Sequence, residues 1–306
     1  MRIAFLGTPE FACPSLAALI RRGDALCVFT QPDRPVGRKA IMTPPPVKVL
    51  ALQNGIPVQQ FARIKSDEGV SALEQFAPDL CVTAAFGQIL SKRNLAIPKL
   101  GTINVHGSLL PKYRGASPIQ SAIINGDAVT GITTMMTDVG MDTGDILLQR
   151  ETPILPNETY EQLSERLAAL GAELLLETLQ RLEDGTLVRT PQNAAESSVC
   201  HMLTKEDGRI DFFRSAQSIH NLVRGTNPWP AAFAMLDGES LKIWETRLCD
   251  SVSETVPGTL TVENDHLYMR CADADLEILS LQQSGKKRMC ADDFLRGCAL
   301  NGKRLC

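Results

Sequence analysis

The chain has 306 residues, 44% of them apolar and 22% charged, and its 31 Lys and Arg against 35 Asp and Glu leave a net charge of −4. At roughly 150 residues per domain, this length suits one large or two medium domains, each able to bury its own core. These proportions exclude a disordered, collagenous or coiled-coil chain, and no apolar run approaches the roughly 18 residues that a membrane span needs.

The first residues lead straight into a strand pattern with no targeting signal, so the expected location is cytoplasmic and no membrane partner is expected. Residues 3–6 are a buried-strand run closed by Gly7, and Leu16, Leu19 and Ile20 then fall on one helical face. A G-x-G-x-x-G turn is absent after that strand, which argues against a nicotinamide cofactor. Residues 27–30 make the next strand. Residues 31–46 follow as a long loop with five prolines and three bases, Arg34, Arg38 and Lys39. Its length marks a projecting functional loop rather than a minimal connector.

Further strands are expected at 80–84, 102–106 and 132–137, and helices at 47–53, 67–75 and 118–124. The alternation predicts an α/β fold with a mostly parallel sheet. A long helix follows Pro156: Thr159 and Gln162 have capping-box spacing, Leu163, Leu167, Leu170 and Leu174 make an apolar stripe, and Gly185 ends it. Residues 186–208 are mixed and polar, as in a surface connector. Short runs at 232–236, 241–244, 258–262, 266–271 and 276–281, punctuated by turn residues, then predict a small β-barrel or sandwich. The nine cysteines are an odd number without a C-x-x-C pair, so they read as reduced thiols, and no metal site is expected.

Two segments carry chemistry. In the strand 102–106, Asn104 and His106 are two residues apart and face the same side, close to the carboxyl end where open α/β sheets bind ligands. An amide beside an imidazole can donate to an oxygen that becomes negative during attack on a carbonyl. A histidine satisfied in the core at a strand end fits the same spacing. The second segment carries Asp138, Asp142 and Asp145 between Gly140 and Gly144. It is no EF-hand, because counting from Asp138 puts Gly140 at position three and Gln149 at position twelve. The loop can return one carboxylate to His106 and hold its tautomer. A solvated acidic turn fits this segment equally well.

Asn104, Val105, His106, Gly107, Ser108, Leu109, Leu110 and Pro111, with Arg114 and Gly115 and then Asp138, Gly140, Asp142, Gly144 and Asp145, resemble the folate-dependent formyltransferase family. Within it, residues 5–10, residues 30–35, the run Asn227, Pro228, Trp229, Pro230 and the run Gly285, Lys286, Lys287 are similar to members that act on initiator tRNA. The resemblance spans essentially the whole chain. It implies a Rossmann-like catalytic domain over 1–189, a linker over 190–207 and an OB-like, tRNA-binding β-barrel over 208–306. The formyl donor would be 10-formyltetrahydrofolate, and the acceptor the α-amine of methionine esterified to initiator tRNA. No metal and no obligate protein partner are implied.

Matched position by position, Asn104, His106 and Asp142 are the implied catalytic set. Gln88, Ile89 and Leu90 would contact the pterin through backbone, so that the side chain at 88 is expected to matter little. Ser108, Leu109, Leu110, Pro111, Asp138, Val139 and Gly140 would complete the folate pocket. Arg34, Arg38 and Lys39 would meet the acceptor arm, with Ala40 and Ile41 departing from more lysine-rich versions of that loop. Lys286, Lys287, Arg288, Lys303 and Arg304 would meet RNA elsewhere, although the segment from residue 207 onward is itself net acidic. Rival readings are an amino sugar nucleotide formyltransferase, a formyltetrahydrofolate hydrolase and a non-catalytic RNA-binding module.

Overall fold

The computed structural model describes residues 1–37 and 39–306. The chain separates into two units, one of Met1–Pro118, Val129–Pro153 and Ser164–Cys200, the other of Ile119–Ala128, Ile154–Leu163 and His201–Cys306. The second unit thus draws in two short segments that lie between parts of the first in sequence.

In chain order to residue 200 the elements are β1 (Arg2–Gly7), α1 (Cys13–Arg22), β2 (Ala25–Thr30), β3 (Arg34–Val36), β4 (Ile41–Thr43), α2 (Pro46–Gln53), β5 (Val58–Gln60), α3 (Asp67–Phe76) and β6 (Leu80–Ala84). Then come α4 (Lys92–Leu95), β7 (Thr102–His106), β8 (Arg114–Gly115), α5 (Pro118–Ile124), β9 (Val129–Met136), β10 (Ile146–Pro153), α6 (Tyr160–Glu183) and β11 (Val199–Cys200). The first unit is built on a sheet of order β10-β9-β7-β6-β1-β2-β5. Strands β5, β2, β1, β6 and β7 are parallel, while β9 runs against β7 and β10 against β9. Ile3, Ala4, Phe5 and Leu6 in the middle of this sheet are all fully buried, as a parallel sheet covered on both faces requires.

Local signals fix the helix ends. Ser66 caps α3 by accepting from the Gly69 amide at 3.3 Å, with Asp67 and Glu68 in its first turn, where the helix dipole favours acids. The expected capping box of α6 is present: Thr159 N donates to Gln162 Oε1 at 3.0 Å and Gln162 N to Thr159 Oγ1 at 3.4 Å. Helix α6 lies against β7 and β9, since Thr178 Oγ1 meets Thr134 Oγ1 at 2.8 Å and a Cβ on Gly171 would stand 2.9 Å from Val105 Cγ1. Val105 therefore points toward α6. Strand alternation turns its neighbours Asn104 and His106 to the opposite face.

The pairing of His106 with Thr133 and Ile103 with Met136 sets β9 antiparallel to β7. Residues 137–145, which join β9 to β10, consequently leave from the amino-terminal end of β7, where Thr137 N donates to Thr102 O at 2.7 Å. To reach Asn104 and His106 they must fold back along the sheet face. The stretch 31–46 contains a two-stranded ribbon, with β3 paired to β4 and exposed Val36, Ile41 and Met42. Its prolines obscured that pairing in the sequence. Among the described residues, no helix is long and apolar enough to cross a membrane.

The second unit continues with α7 (Ala216–Gly225), β12 (Ala232–Leu236), β13 (Glu239–Leu248), β14 (Leu260–Glu263), β15 (His266–Arg270), β16 (Asp275–Gln283), β17 (Met289–Cys290) and α8 (Ala291–Leu295). The sheet has the order β12-β13-β16-β15-β14, all antiparallel, with β17 on β16. Asp237 and Gly238, then Asn264 and Asp265, have positive φ in two-residue hairpin turns whose twist matches that of the strands. The last residues bond to both sheet edges. Cys306 exchanges two hydrogen bonds with Met235 on β12, and Leu260 on β14 donates to Lys303 O at 2.8 Å. The sheet is thereby closed into the small barrel expected.

Helix α7 was not legible in the apolar pattern because its buried face carries His220, Asn221 and Arg224. Arg224 Nη1 donates to the carbonyls of Leu155 and Glu158, each at 3.2 Å, while Nε and Nη2 donate to Asn221 Oδ1. His220 is 3% exposed; its Nε2 donates to Pro156 O at 3.4 Å and its Nδ1 faces Thr246 Oγ1 at 2.9 Å. Burial, helped by the Arg224 charge and opposed by the Pro156 carbonyl, pulls this imidazole below its ordinary pKa near 6.5. The unfolded chain then binds the extra proton, so the contribution of His220 is present above pH 6.5 and is lost as pH falls from there through the lower value of the folded chain. Unfolding free energy should decline below pH 6.5 with a slope of at most about 1.4 kcal/mol per pH unit, the limit for one proton. Urea titrations between pH 5 and 8 test this: His220→Gln should flatten that part of the profile, and an unchanged slope would assign it to other groups.

Candidate active site

Three side chains expected to act together are brought together on the β7 face. Asn104 lies mid-strand, and its Oδ1 accepts from Thr83 Oγ1 at 2.9 Å, which turns Nδ2 toward Asp142 Oδ1 at 3.4 Å. His106 ends the strand and is 5% exposed. Its Nε2 lies 2.9 Å from the Tyr113 carbonyl, and its Nδ1 is 3.7 Å from Asp142 Oδ2. A carbonyl can only accept, so Nε2 carries the hydrogen and Nδ1 is the nitrogen that faces the carboxylate. At 3.7 Å that approach is looser than a hydrogen bond.

Asp142 reaches this position in a left-handed conformation, φ +52°, which an aspartate tolerates better than most residues. Its Oδ2 accepts from the Gly115 amide at 2.8 Å. Asp138 is exposed and shapes the loop from within: its carboxylate accepts from Gly140 N at 2.9 Å and from Thr143 Oγ1 at 2.7 Å. Val139 is 66% exposed. The bonds that carry the loop back to the sheet thus start from Asp142, and not from Asp138, Val139 or Gly140.

The other expected folate residues sit beyond the carboxyl ends of β6 and β7, where ligands of open α/β sheets collect. Gln31 Nε2 and Thr8 Oγ1 both donate to Phe86 O, at 3.0 and 2.9 Å, and anchor the turn before Gln88. The Gln88 side chain is not indifferent, contrary to expectation. Its Oε1 accepts from Ile64 N at 2.6 Å and its Nε2 donates to Phe61 O at 2.9 Å, so it pins a neighbouring loop. Ile89 is 79% exposed, and Leu90 packs on the core. Ser108 is fully buried and donates to Lys112 O at 2.7 Å, and Leu110 is 3% exposed, whereas Leu109 and Pro111 are half-buried.

Sequence reasoning missed the groups that hold this turn. Thr133 Oγ1 donates to Ser108 O at 2.6 Å and accepts from Leu110 N at 3.1 Å and from Gln149 Nε2 at 2.9 Å. Alternation along β9 placed Thr133 on the Asn104 face and was the available signal. The connector contributes as well: Ser198 accepts from Tyr113 N through Oγ at 2.9 Å and from Arg114 N through its carbonyl at 2.8 Å, and β11 pairs with β8. Nothing local in that polar stretch announces these contacts.

The expected RNA residues divide into two groups. Arg34 and Lys39 are exposed on the ribbon, with Arg34 donating to Gln31 Oε1, and Arg38 lies outside the described residues. In the second unit, Lys286 and Lys287 lie in the turn after β16, and Lys303 bonds Asp237 in the β12–β13 turn at 2.5 Å. Ser284 N donates to Ser240 O at 3.0 Å, so these two turns share one end of the barrel. Arg288 stacks on Trp244 with its Cζ 5.4 Å from the ring centroid and pairs with Glu245 at 3.6 Å, and Arg304 is exposed.

All nine cysteines are free, and burial pushes the Cys27 thiol up to about 11 and Cys81 to about 12. Among the described residues no group of three or more His, Cys, Asp and Glu is arranged to hold a metal ion.

The family signature described as formyl transferase matches residues 1–179, and that of the formyl transferase C-terminal domain matches residues 202–299. Methionyl-tRNA formyltransferase from Ruminiclostridium cellulolyticum is 50% identical over 301 residues, covering 97% of this chain and 96% of the relative. Its counterpart from Geotalea uraniireducens is 52% identical over 299 residues, covering 97% and 95%. Among solved structures, the N-formyltransferase from Helicobacter canadensis, in complex with folinic acid and dTDP-3-aminofucose, is similar with a TM-score of 0.68 at 21% identity, covering 92% of this chain and 98% of that one. HypX from Aquifex aeolicus, in complex with tetrahydrofolic acid, gives 0.67 at 17% identity, covering 96% and 47%; both likenesses concern the fold. Matched in both halves and by relatives of nearly its full length, the chain belongs to the formyl transferase family, among the methionyl-tRNA formyltransferases.

Proposed function

We propose that this enzyme moves the formyl group of 10-formyltetrahydrofolate to the α-amine of methionine esterified to initiator tRNA, yielding N-formylmethionyl-tRNA and tetrahydrofolate for translation initiation in the cytoplasm. The observation that carries this reading is half identity over nearly the whole length to enzymes of that name, with Asn104, His106 and Asp142 meeting on one sheet face. The formyl donor enters as a substrate, held by the turns at 86–90 and 108–111.

In the reaction the neutral amine attacks the formyl carbon. Asn104 Nδ2 is the amide donor for the oxygen that becomes negative, in a half-buried site where such a bond counts for more than in water. His106 is fixed by the Tyr113 carbonyl with Nδ1 toward Asp142. That pair accepts the proton from the attacking nitrogen, and the proton passes through water to N10 as the carbon–nitrogen bond to the folate breaks. No protein nucleophile is required.

Labelled formyl transfer to methionyl initiator tRNA, with methionyl elongator tRNA, an amino sugar nucleotide and buffer as parallel acceptors, tests the reading. Transfer confined to the initiator supports it. Transfer to the sugar or release of formate alone would keep the chemistry and remove the tRNA assignment, and tRNA binding without transfer would favour a binding module. The ribbon loop is assigned to initiator selection. Arg38→Ala should raise KM for charged tRNA roughly tenfold, the loss expected for one or two charge-assisted phosphate contacts, and leave folate affinity unchanged. Equal losses for both substrates would remove that role.

A further inference from the structure

All four hydrogen-bonding positions of one connector side chain are taken up between the Asp142 loop and Arg114. Gln192 Nε2 donates to the Asp142 carbonyl at 2.9 Å and to the Gly144 carbonyl at 2.7 Å. Its Oε1 accepts from Arg114 Nε at 3.0 Å and from Arg114 Nη2 at 2.8 Å. A glutamine amide has two donor hydrogens and two acceptor lone pairs, so none is left over. The residue after Arg114 is Gly115, whose amide holds the Asp142 carboxylate at 2.8 Å. The same short stretch, 114–115, therefore fixes Asp142 twice, at its carboxylate through Gly115 and at its backbone through Arg114 and Gln192.

The loop needs such a hold. It starts from the far end of β7, and Asp142 has φ +52°, a conformation that costs roughly 1–2 kcal/mol for a non-glycine residue. Hydrogen bonds inside the loop end at Asp138 and Thr143 and do not reach the carbonyls at 142 and 144. We propose that Gln192 is a positioning residue for formyl transfer, which sets the Asp142 carboxylate against His106 and Asn104 and makes the connector part of the catalytic apparatus. The proposal rests on the formyl-transfer reading above and adds a residue to it.

Two variants separate its parts. Gln192→Glu keeps the shape and the acceptor for Arg114 but presents oxygen, without hydrogen, to the two carbonyls, while Gln192→Ala removes both ends. Each should lower kcat by about 10- to 100-fold, the cost of displacing a catalytic group by up to an ångström. KM for the formyl donor and for charged tRNA should stay within about threefold, because an interaction used mainly in the transition state moves kcat.

The deciding readout is a double-mutant cycle: in an Asp142→Asn background, Gln192→Ala should change kcat by less than about twofold, since residues that act through one group are not additive. Equal fold-losses in both backgrounds would overturn the proposal, as would full activity of either single variant. So would unfolding of Gln192→Glu at the assay temperature, which would make the residue merely structural. An unmutated chain that transfers no formyl would instead sink the formyl-transfer reading, and the proposal with it.

Discussion

Asp142→Asn should lower formyl transfer by about 10²- to 10⁴-fold, the range over which a positioned acid or base contributes, while the melting temperature stays near that of the unmutated enzyme. The fold should survive because the asparagine oxygen can still accept from Gly115 N, the tightest of the three contacts to the carboxylate, at 2.8 Å. What changes is the atom at Oδ1, which faces Asn104 Nδ2 at 3.4 Å, together with the negative charge of the group whose Oδ2 stands 3.7 Å from His106 Nδ1. An amide NH2 there meets a donor at Asn104 and cannot take a proton from the attacking amine. Folate affinity should hold, because the turns at 86–90 and 108–111 are anchored by Gln31, Thr8, Thr133 and Gln149 and not by Asp142. Single-turnover transfer and equilibrium folate binding on the same preparation give the two readings. Near-normal turnover would take Asp142 out of the mechanism, and loss of folate binding would turn it into a pocket residue.

The site was legible wherever its logic was local. Asn104 and His106 share a face because they are two apart in a strand, and Thr159 with Gln162 capped α6 because their spacing is that of a capping box. The fold class followed from the strand and helix alternation, yet the hairpin β9–β10 did not, and the return of its loop to His106 stood only as one of two readings of that segment. Strand direction depends on the connection between elements, and a run such as 146–153 at a sheet edge, in which Leu147 alone is buried, reads weakly. The supports of the site were the least visible part. Gln192 meets Asp142 across 50 residues of sequence, and Ser198 meets Tyr113 across 85. A polar residue in a polar connector gives no periodic signal, so its role appears only when the chain is folded. The inverse holds for α7, where a buried polar face hid a helix whose N-cap, Ser215, is in plain view.

Replacing Gly144 by alanine should be nearly as damaging as removing the carboxylate, through geometry alone. A Cβ at this position would lie 1.9 Å from the Met136 carbonyl oxygen, a backbone atom that cannot swing aside. Met136 also receives nothing slack from the loop, because its own amide donates to Asp145 O at 2.9 Å. The loop would have to lift, and with it would go the Gly144 carbonyl held by Gln192 and the Asp142 carboxylate beside it. A displacement near 1 Å costs about 100-fold in rate, and the overpacking itself about 1–3 kcal/mol of stability. Gly171→Ala provides the control: its Cβ would press Val105 from the α6 side of the sheet at 2.9 Å, at comparable cost to stability but away from the Asn104 face. With urea midpoints and turnover per folded molecule measured for both variants, Gly144→Ala should lose stability and activity together, and Gly171→Ala stability alone. If both variants lose activity only in proportion to their unfolded fraction, the return path of the loop is not what positions Asp142.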